Sequence, residues 1–522
     1  MIVAHDRDNP QVLNLVSLKM AAAQRVVRTS RRRVRYAIRM RVLLGIPPYD
    51  FRDFYPEYMA RKTPDRKRFG LIPGATPPIG LLLIAAVLRD AGHDVFFLDG
   101  VYNHDEDFHR VIREQSIELA GFLMMGYGWN TSQDFLLGLK ERFPDLKIAV
   151  GGPFPDVMQR QCLEANAAVD FAAAGDGEYI LRDLVACLER KGDLAAVKGI
   201  AWRDQGVVRL NPNAPLIYDL DALPFPARDL IDMGQYAPSI GHYHRLPATT
   251  MMGQRGCKHE CIFCHTNTWM RHGERYRSAE NVVDEMQELE QRYGVRDILF
   301  WDNNLTEDYD GIHTRCEAIL KRGLSVIWSG NTRSDTLDLP TAKLMRRAGC
   351  WKLLIGIESG VQRNLDTLKK GETLEQIERG VRICQQVGIR VFGTFMFGIP
   401  GETYEDGLRT IEFAKHLNAD YTKFFTIGVH PGTALHDMAD RYGTCLGWAQ
   451  SQSHQSSGFV PHTMTKRQLD ELIHRANRSF YMRPAYIAMK LRTMRSPEDL
   501  WQNVVGFRAY SGAIWSEMAA RF

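Results

Sequence analysis

Two successive series of short apolar runs, each run followed by a stretch of helical periodicity, constrain this chain more than any other feature of it. In the first series, Arg41-Val42-Leu43-Leu44-Gly45-Ile46 closed by Pro47-Pro48, Asp94–Asp99, Leu119–Met124, Lys147–Gly152 and Phe171-Ala172-Ala173 read as strands. Between them, residues 79–91, 105–116, 131–142 and 156–166 carry apolar side chains at helical spacing. Strands that alternate with helices run parallel and bury both faces, so residues 40–195 are predicted to form a doubly wound, Rossmann-like α/β domain. The second series has strands at 248–254, 297–302, 325–330, 352–357, 389–397 and 420–428, with helices starting near 279, 307, 340, 373 and 404. Six such units predict a partial TIM-like (β/α)6 barrel over 246–438. Residues 196–245 read as a linker stiffened by Pro224 and Pro226, and residues 439–522 as a mainly helical region.

In both architectures ligands gather at the carboxyl ends of the strands. There the first domain places Gly126-Tyr127-Gly128, Asn130, Gly151-Gly152 and Gly175-Asp176-Gly177-Glu178. No GxGxxG follows its first strand, so a dinucleotide fingerprint is lacking. Just after the first strand of the second series stands Gly256-Cys257-Lys258-His259-Glu260-Cys261-Ile262-Phe263-Cys264. A cubane iron–sulfur cluster normally takes four thiolates, so three leave one iron open to a further ligand. Gly256 lets the backbone turn tightly beside such a cluster, and Phe263 is placed to shield it from water. The same three cysteines also suit a buried apolar role, or zinc completed by His259 or His265. A structural zinc site, however, usually pairs two C-x2-C units, and the chain has no second one.

A hydrophobic fraction of 45% and a charged fraction of 25% are those of a globular protein. The net charge of +4 is too small to point to nucleic acid. Basic residues concentrate in residues 1–39, where the run Arg31-Arg32-Arg33-Val34-Arg35 fits a disordered extension, a start assigned upstream of Met40, or a transit or membrane-surface segment. No run of eighteen apolar residues predicts a transmembrane span, which leaves peripheral membrane contact open. Cys162, Cys187, Cys316, Cys350, Cys384 and Cys445 have no repeated pairing, as expected of buried free thiols in a reducing cytoplasm.

The CxxxCxxC spacing resembles the signature of the radical S-adenosylmethionine (SAM) enzymes. That resemblance implies that Cys257, Cys261 and Cys264 hold a [4Fe-4S] cluster whose open iron chelates SAM, and that reductive cleavage yields a 5'-deoxyadenosyl radical. Further motifs agree. Phe300-Trp301-Asp302-Asn303-Asn304-Leu305-Thr306 is similar to the FxDDxFT segment of the cobalamin-dependent branch, and implies that Asp302 and Asn303 accept hydrogen bonds from the SAM amino group. Asn303 stands where that pattern has its second Asp. Arg333 is placed to fork onto the SAM carboxylate. Gly356-Ile357-Glu358-Ser359-Gly360 resembles G-x-E-S-G, which implies that Glu358 and Ser359 serve the amino group or ribose. Gly398-Ile399-Pro400-Gly401-Glu402-Thr403 is close to G-x-P-G-E-T, with Gly398 and Gly401 approaching the adenosine and Thr403 capping the next helix. Pro431-Gly432-Thr433 matches the P-G-T turn.

By the same resemblance the first domain binds cobalamin through Gly126, Gly128, Asn130, Gly151, Gly152, Gly175, Gly177 and Glu178, and the D-x-L-P-x-P segment at 221–226 joins the domains. The stretch Pro47–Pro56 lacks the D-x-H-x-x-G loop, which implies a cobalamin with no protein histidine on cobalt. The implied activity is methylation of an unactivated carbon in a large, fairly apolar small molecule, with reduced flavodoxin or ferredoxin as electron donor. A cyclase, oxidase or rearranging enzyme like the anaerobic magnesium-protoporphyrin cyclase is the alternative. A zinc-stapled, non-enzymatic scaffold is the third reading. Phe480-Tyr481-Met482-Arg483-Pro484-Ala485-Tyr486-Ile487 resembles a segment of the cyclase and hopanoid members, and is read either as a substrate contact or as a helix joint. Trp269, Met270, Trp301, Trp328, Met396 and Phe397 are placed to line a pocket or to fill the core.

Overall fold

Along β1 (Arg41–Ile46) consecutive side chains enter opposite apolar layers. Leu43 packs with Phe108, Phe122 and Ile148, whereas Val42 and Leu44 pack with Leu81, Leu88 and Leu184. A strand buried on both sides belongs inside a sheet covered twice. The computed structural model describes residues 39–48, 72–73, 75–238, 241–269, 273–446, 458–494 and 500. In it β1 is flanked by β2 (Asp94–Asp99) and β3 (Leu119–Leu123), and β4 (Lys147–Gly151) and β5 (Phe171–Ala173) continue the parallel run. An antiparallel hairpin, β6 (Ile200–Asp204) and β7 (Val207–Leu210), completes the order β2-β1-β3-β4-β5-β6-β7.

Helices α1 (Ile79–Asp90) and α5 (Gly177–Glu189) supply one apolar layer, and α2 (Asp105–Glu114), α3 (Gly126–Arg142) and α4 (Pro153–Ala165) the other. The doubly wound domain is as expected, with two differences. The hairpin carries the first sheet past residue 195 into the stretch read as linker, because β6 completes hydrogen bonding along β5. And α3 starts at Gly126, so Gly126, Gly128 and Asn130 lie in its opening turns rather than in a free loop.

The second sheet consists of β8 (Ala248–Met251), β9 (Asp297–Phe300), β10 (Ile327–Thr332), β11 (Cys350–Glu358), β12 (Arg390–Phe397) and β13 (Tyr421–Thr426). All six are parallel and in sequential order. One face carries Ile298, Phe300, Trp328, Leu353, Val391 and Phe424 against the layer made by α6 (Ala279–Tyr293), α7 (Tyr309–Arg322), α8 (Leu339–Arg347), α9 (Leu374–Val387) and α10 (Tyr404–Leu417). Trp328 and Phe397 belong to that helix-facing core, so they do not line a pocket on the opposite face. β8 and β13 are the sheet's two edges, so the expected barrel takes the form of an open sequential sheet among the described residues.

Among the described residues the C-terminal region is mainly helical, as expected, with one short hairpin. After the helix Ala434–Tyr442, a hairpin of Gly443–Cys445 with Phe459–Pro461 precedes α11 (Lys466–Tyr481) and α12 (Pro484–Thr493). The Phe480–Ile487 segment is the joint between them. Tyr481 and Tyr486 bond the backbone of Thr422 and Asp420, and Arg483 reaches Lys415 O (2.8 Å) while stacking on Phe480. Of the six scattered cysteines, all free, four are buried, but Cys187 is half-buried and Cys445 exposed. The leader up to Tyr36-Ala37-Ile38, the region Tyr49–Leu71 and Met270 lie outside the described residues. No described helix is long and apolar enough to cross a membrane. The described residues from Met40 onward belong to one compact unit.

Candidate active site

The cysteine loop leaves the carboxyl end of β8 and is fixed by contacts from several elements. Gly256 has φ +87°, and a Cβ there would lie 2.0 Å from Gly273 O, so no other residue fits. Asn303 donates to Gly256 O (2.8 Å) and accepts from Thr266 Oγ1 (3.3 Å), which braces the loop at both ends. Glu307 takes Lys258, His259 Nε2 (2.9 Å) and Asn304 Nδ2 (2.6 Å). Burial raises the Glu307 carboxyl, but these donors outweigh it and hold it below the usual range. Ile262 N donates to Leu368 O (3.1 Å) and Leu435 N to Ile262 O (2.9 Å), while Phe263 packs against the group of Met396, Ile399 and Ile427.

Cys257, Cys261 and Cys264 are all free and partly accessible. Burial pushes the Cys257 thiol up and the Cys261 thiol to about 11, although Lys370 and Arg333 pull Cys261 downward. Such thiols are protonated until a metal displaces the proton. His259, one of the two histidines considered as a zinc ligand, is engaged by Glu307; the other, His265, lies with its ring 5.5 Å from that of His430. Among the described residues no three His, Cys, Asp or Glu side chains close around a single ion. Three soft donors spread along a loop fit a polynuclear cluster.

The residues expected to meet SAM divide into two groups. Asp302, Asn303, Ser359 and Arg333 are engaged within the protein. Asp302 is 1% exposed, accepts from Gly253 N (2.6 Å) and Gln254 N (3.1 Å), and faces Arg315 at 3.4 Å. The Ser359 hydroxyl meets Thr410 (3.1 Å), Val361 N (3.2 Å) and Asn364 (3.1 Å). Arg333 forks onto Asp335 (2.9 and 2.7 Å) and donates to Lys370 O (2.9 Å). In this structure the polar atoms of these four residues are held by protein partners.

Glu358, Gly401 and Gly398 form the second group. Glu358 ends β11 at φ +68°, a left-handed conformation that costs a non-glycine residue about 1–2 kcal/mol, beside a register shift against β12. Its Oε2 is buried with no partner, and its Oε1 lies 3.7 Å from Lys370 Nζ. Burial raises the Glu358 carboxyl, against the pull of Lys370. An unpartnered buried acceptor on a strained strand end fits a ligand that brings its own donors. Gly401, at φ +77°, has open space where a Cβ would stand, so a ligand can approach its backbone. Gly398, at φ +86°, instead meets Leu469 and closes the turn that Glu402 Oε2 holds through Gly398 N (2.6 Å) and Ile399 N (3.2 Å). Thr403 caps α10, as expected.

Lys370 and Glu372 are absent from the sequence reading. Lys370 Nζ bridges Glu358 and Glu372 (3.3 Å), and Glu372 Oε1 accepts from Ser334 N (2.8 Å). The opposite charges around Gly371, itself at φ +71°, were the available signal.

At the first sheet, strand order reverses between β1 and β3, the place where open α/β sheets bind ligands. Gly126, Gly128 and Asn130 open α3 there; a Cβ on Gly128 would meet nothing within 4 Å, and Asn130 is exposed. Gly151 would touch only Ala173 at 3.8 Å. Gly152, at φ +105°, caps α4 and could not take a Cβ, which would meet Leu123 at 2.5 Å. Gly175 donates to Asp156 (2.5 Å), and Gly177 packs on Ile84. Helix starts with bare glycines suit a large ligand bearing amide and phosphate groups.

Glu178 corrects the expectation. It is 3% exposed and pairs with Arg255, as does Asp176 at 3.0 Å. Asp176 also binds Arg275 and accepts from Ile217 N (2.9 Å). Burial raises the Asp176 carboxyl, but Arg255 and Arg275 bring it below its ordinary value. The acidic turn after β5 therefore grips the short ribbon Gln254–Arg255 and Arg275–Tyr276 that flanks the cysteine loop. A positive charge two residues before Cys257 was legible, but its distant partner was not.

Residues 251–414 match the family model of the radical SAM superfamily, and residues 68–185 that of the B12-binding domain. An uncharacterized methyltransferase of Pyrococcus horikoshii is 29% identical over 418 residues, covering 78% of this chain and 88% of the relative. The anaerobic magnesium-protoporphyrin IX monomethyl ester cyclase of Synechocystis sp. is 29% identical over 372 residues, covering 70% and 73%. The structure of the radical SAM methyltransferase TsrM of Kitasatospora setae, with cobalamin and a [4Fe-4S] cluster bound, superposes with a TM-score of 0.65 at 19% identity, covering 86% of this chain and 90% of that one. With a cluster loop at the head of one parallel sheet and a ligand edge on the other, this chain belongs to the radical SAM superfamily, in the cobalamin-dependent branch that carries a B12-binding domain.

Proposed function

We propose that this enzyme methylates an unactivated carbon of a large, mainly apolar small molecule. When bound, the cluster supplies the electron that converts SAM into a hydrogen-abstracting radical, and cobalamin relays a methyl group from a second SAM to the substrate carbon. The chain's own part is placement and exclusion of water. Gly256, Asn303 and Glu307 hold the loop of Cys257, Cys261 and Cys264. Glu358 and Lys370 offer an acceptor and a donor for the polar end of SAM. The helix starts at Gly126 and Gly152 would receive the corrin. Reduced flavodoxin or ferredoxin would deliver the electron.

One observation carries this reading. Arg255, two residues before Cys257, is locked to Asp176 and Glu178 at the carboxyl edge of the first sheet, which ties the edge that would receive the corrin to the cysteine loop. A cyclase would need only the cluster to consume SAM, whereas methyl transfer through cobalamin uses SAM twice. Anaerobic product analysis separates them: methyl transfer gives S-adenosylhomocysteine and 5'-deoxyadenosine in about equal amounts, and cyclisation gives deoxyadenosine without matching homocysteine.

A further inference from the structure

β13 divides its side chains between the two faces of the second sheet. Phe424 packs into the helix-facing core with Phe395, Phe397 and Phe480, so Lys423 and Phe425 point the other way. Phe425 meets the apolar group of Ile262, Phe263 and Met396 beside the cysteine loop. Register places Lys423 next to Thr394, and Thr394 next to Gly356. Glu358 folds over Gly356, its Oε1 standing 2.4 Å from where a Gly356 Cβ would be. Lys423 thus shares a row and a face with the site around Glu358, about 10 Å away across two strand spacings.

Lys423 has no hydrogen-bond or ion-pair partner among the described residues, although its side chain is exposed. Burial of part of its surroundings lowers the pKa of its ammonium, and it faces the same side of the sheet as Phe425 and Thr394. The charges near it do not supply an anion. Lys352 donates to Gly241 O (2.8 Å), and His242 is held at about 3 by burial, then by Lys352 and Lys423. Asp297 faces Lys352 and is occupied by His244 N, Arg245 N and Trp351 Nε1. A cation on this face with no counter-charge among the described residues is available to an anionic ligand group.

We propose that Lys423 anchors an anionic group, a carboxylate or a phosphate, at the end of the substrate remote from the carbon that reacts. This rests on the reading that this face receives the substrate. The test is anaerobic calorimetry on the reconstituted holoenzyme with three probes of one shape: 2-naphthoate, 2-naphthyl phosphate and 2-naphthamide. At least one anion is expected to bind about tenfold or more tightly than the amide, and which one does so distinguishes the two anion classes. Lys423→Met should abolish that preference, Lys423→Arg should keep it, and Lys466→Met, which removes an exposed lysine paired with Asp470, should leave it unchanged. A preference that survives Lys423→Met, or no anion preference in the parent enzyme, overturns the assignment. Because the readout is binding, absence of S-adenosylhomocysteine in a parallel assay would count against methyl transfer and not against Lys423.

Discussion

Glu358 shows at the scale of one residue what sequence could and could not say. Its place in a G-x-E-S-G pattern marked it, but its left-handed backbone and unpartnered Oε2 appear only when β11 is built against β12. Glu358→Gln should leave the melting temperature unchanged or slightly higher, yet cut reductive SAM cleavage about tenfold, the worth of one charge-assisted hydrogen bond. Gly256→Ala should lose most of its iron on reconstitution, since a left-handed alanine costs about 1–3 kcal/mol before its Cβ meets Gly273 O. Glu402 gives a pH signature. Burial raises its carboxyl from 4.5 to about 8, with Gly398 N and Ile399 N pulling it down. The folded chain therefore holds this proton more tightly than the unfolded chain does. Its contribution to stability is full below about pH 4.5 and is lost as pH rises through about 8. Thermal melts from pH 5 to 8 should accordingly show a smaller decline for Glu402→Gln than for the parent.

The elements themselves were the most legible level. Apolar runs bounded by turns located all six strands of the second sheet, because a strand buried on both faces has few polar positions to blur it. The β6–β7 hairpin was missed although Ile200-Ala201-Trp202 and Val207-Val208-Arg209-Leu210 are largely apolar, because both runs are short and lie in a stretch whose prolines read as a linker. Pairings between distant elements were also invisible. Asp176 and Glu178 looked like one more glycine-rich ligand turn, yet they bind the ribbon beside Cys257 from across the chain. Asp176→Asn with Glu178→Gln should destabilise the protein by about 3 kcal/mol or more, since it leaves Arg255 buried without a counter-charge. Asp229→Asn, which removes the exposed Arg89 pair at 2.9 Å, should shift the melting midpoint hardly at all. Equal effects of the two changes would show that the latch has no special role.

Across the described residues, a mostly parallel sheet and a wholly parallel one are tied together by that latch near their strands' carboxyl ends, in a single unit from Met40 onward. Each sheet alone implies one ligand class, and their union implies chemistry that uses both. The motifs gave the cofactors, whereas the protein partners of Asp302, Asn303, Arg333 and Ser359 needed coordinates. The most direct measurement is anaerobic turnover of the cluster- and cobalamin-loaded enzyme with SAM carrying a trideuterated methyl group and a small-molecule extract as substrate source. The account predicts deuterated methyl in a small-molecule product, with S-adenosylhomocysteine and 5'-deoxyadenosine in about equal amounts and both abolished in turnover by Cys257→Ala. Deoxyadenosine formed without homocysteine or label transfer, or SAM cleavage that persists in Cys257→Ala, would contradict it.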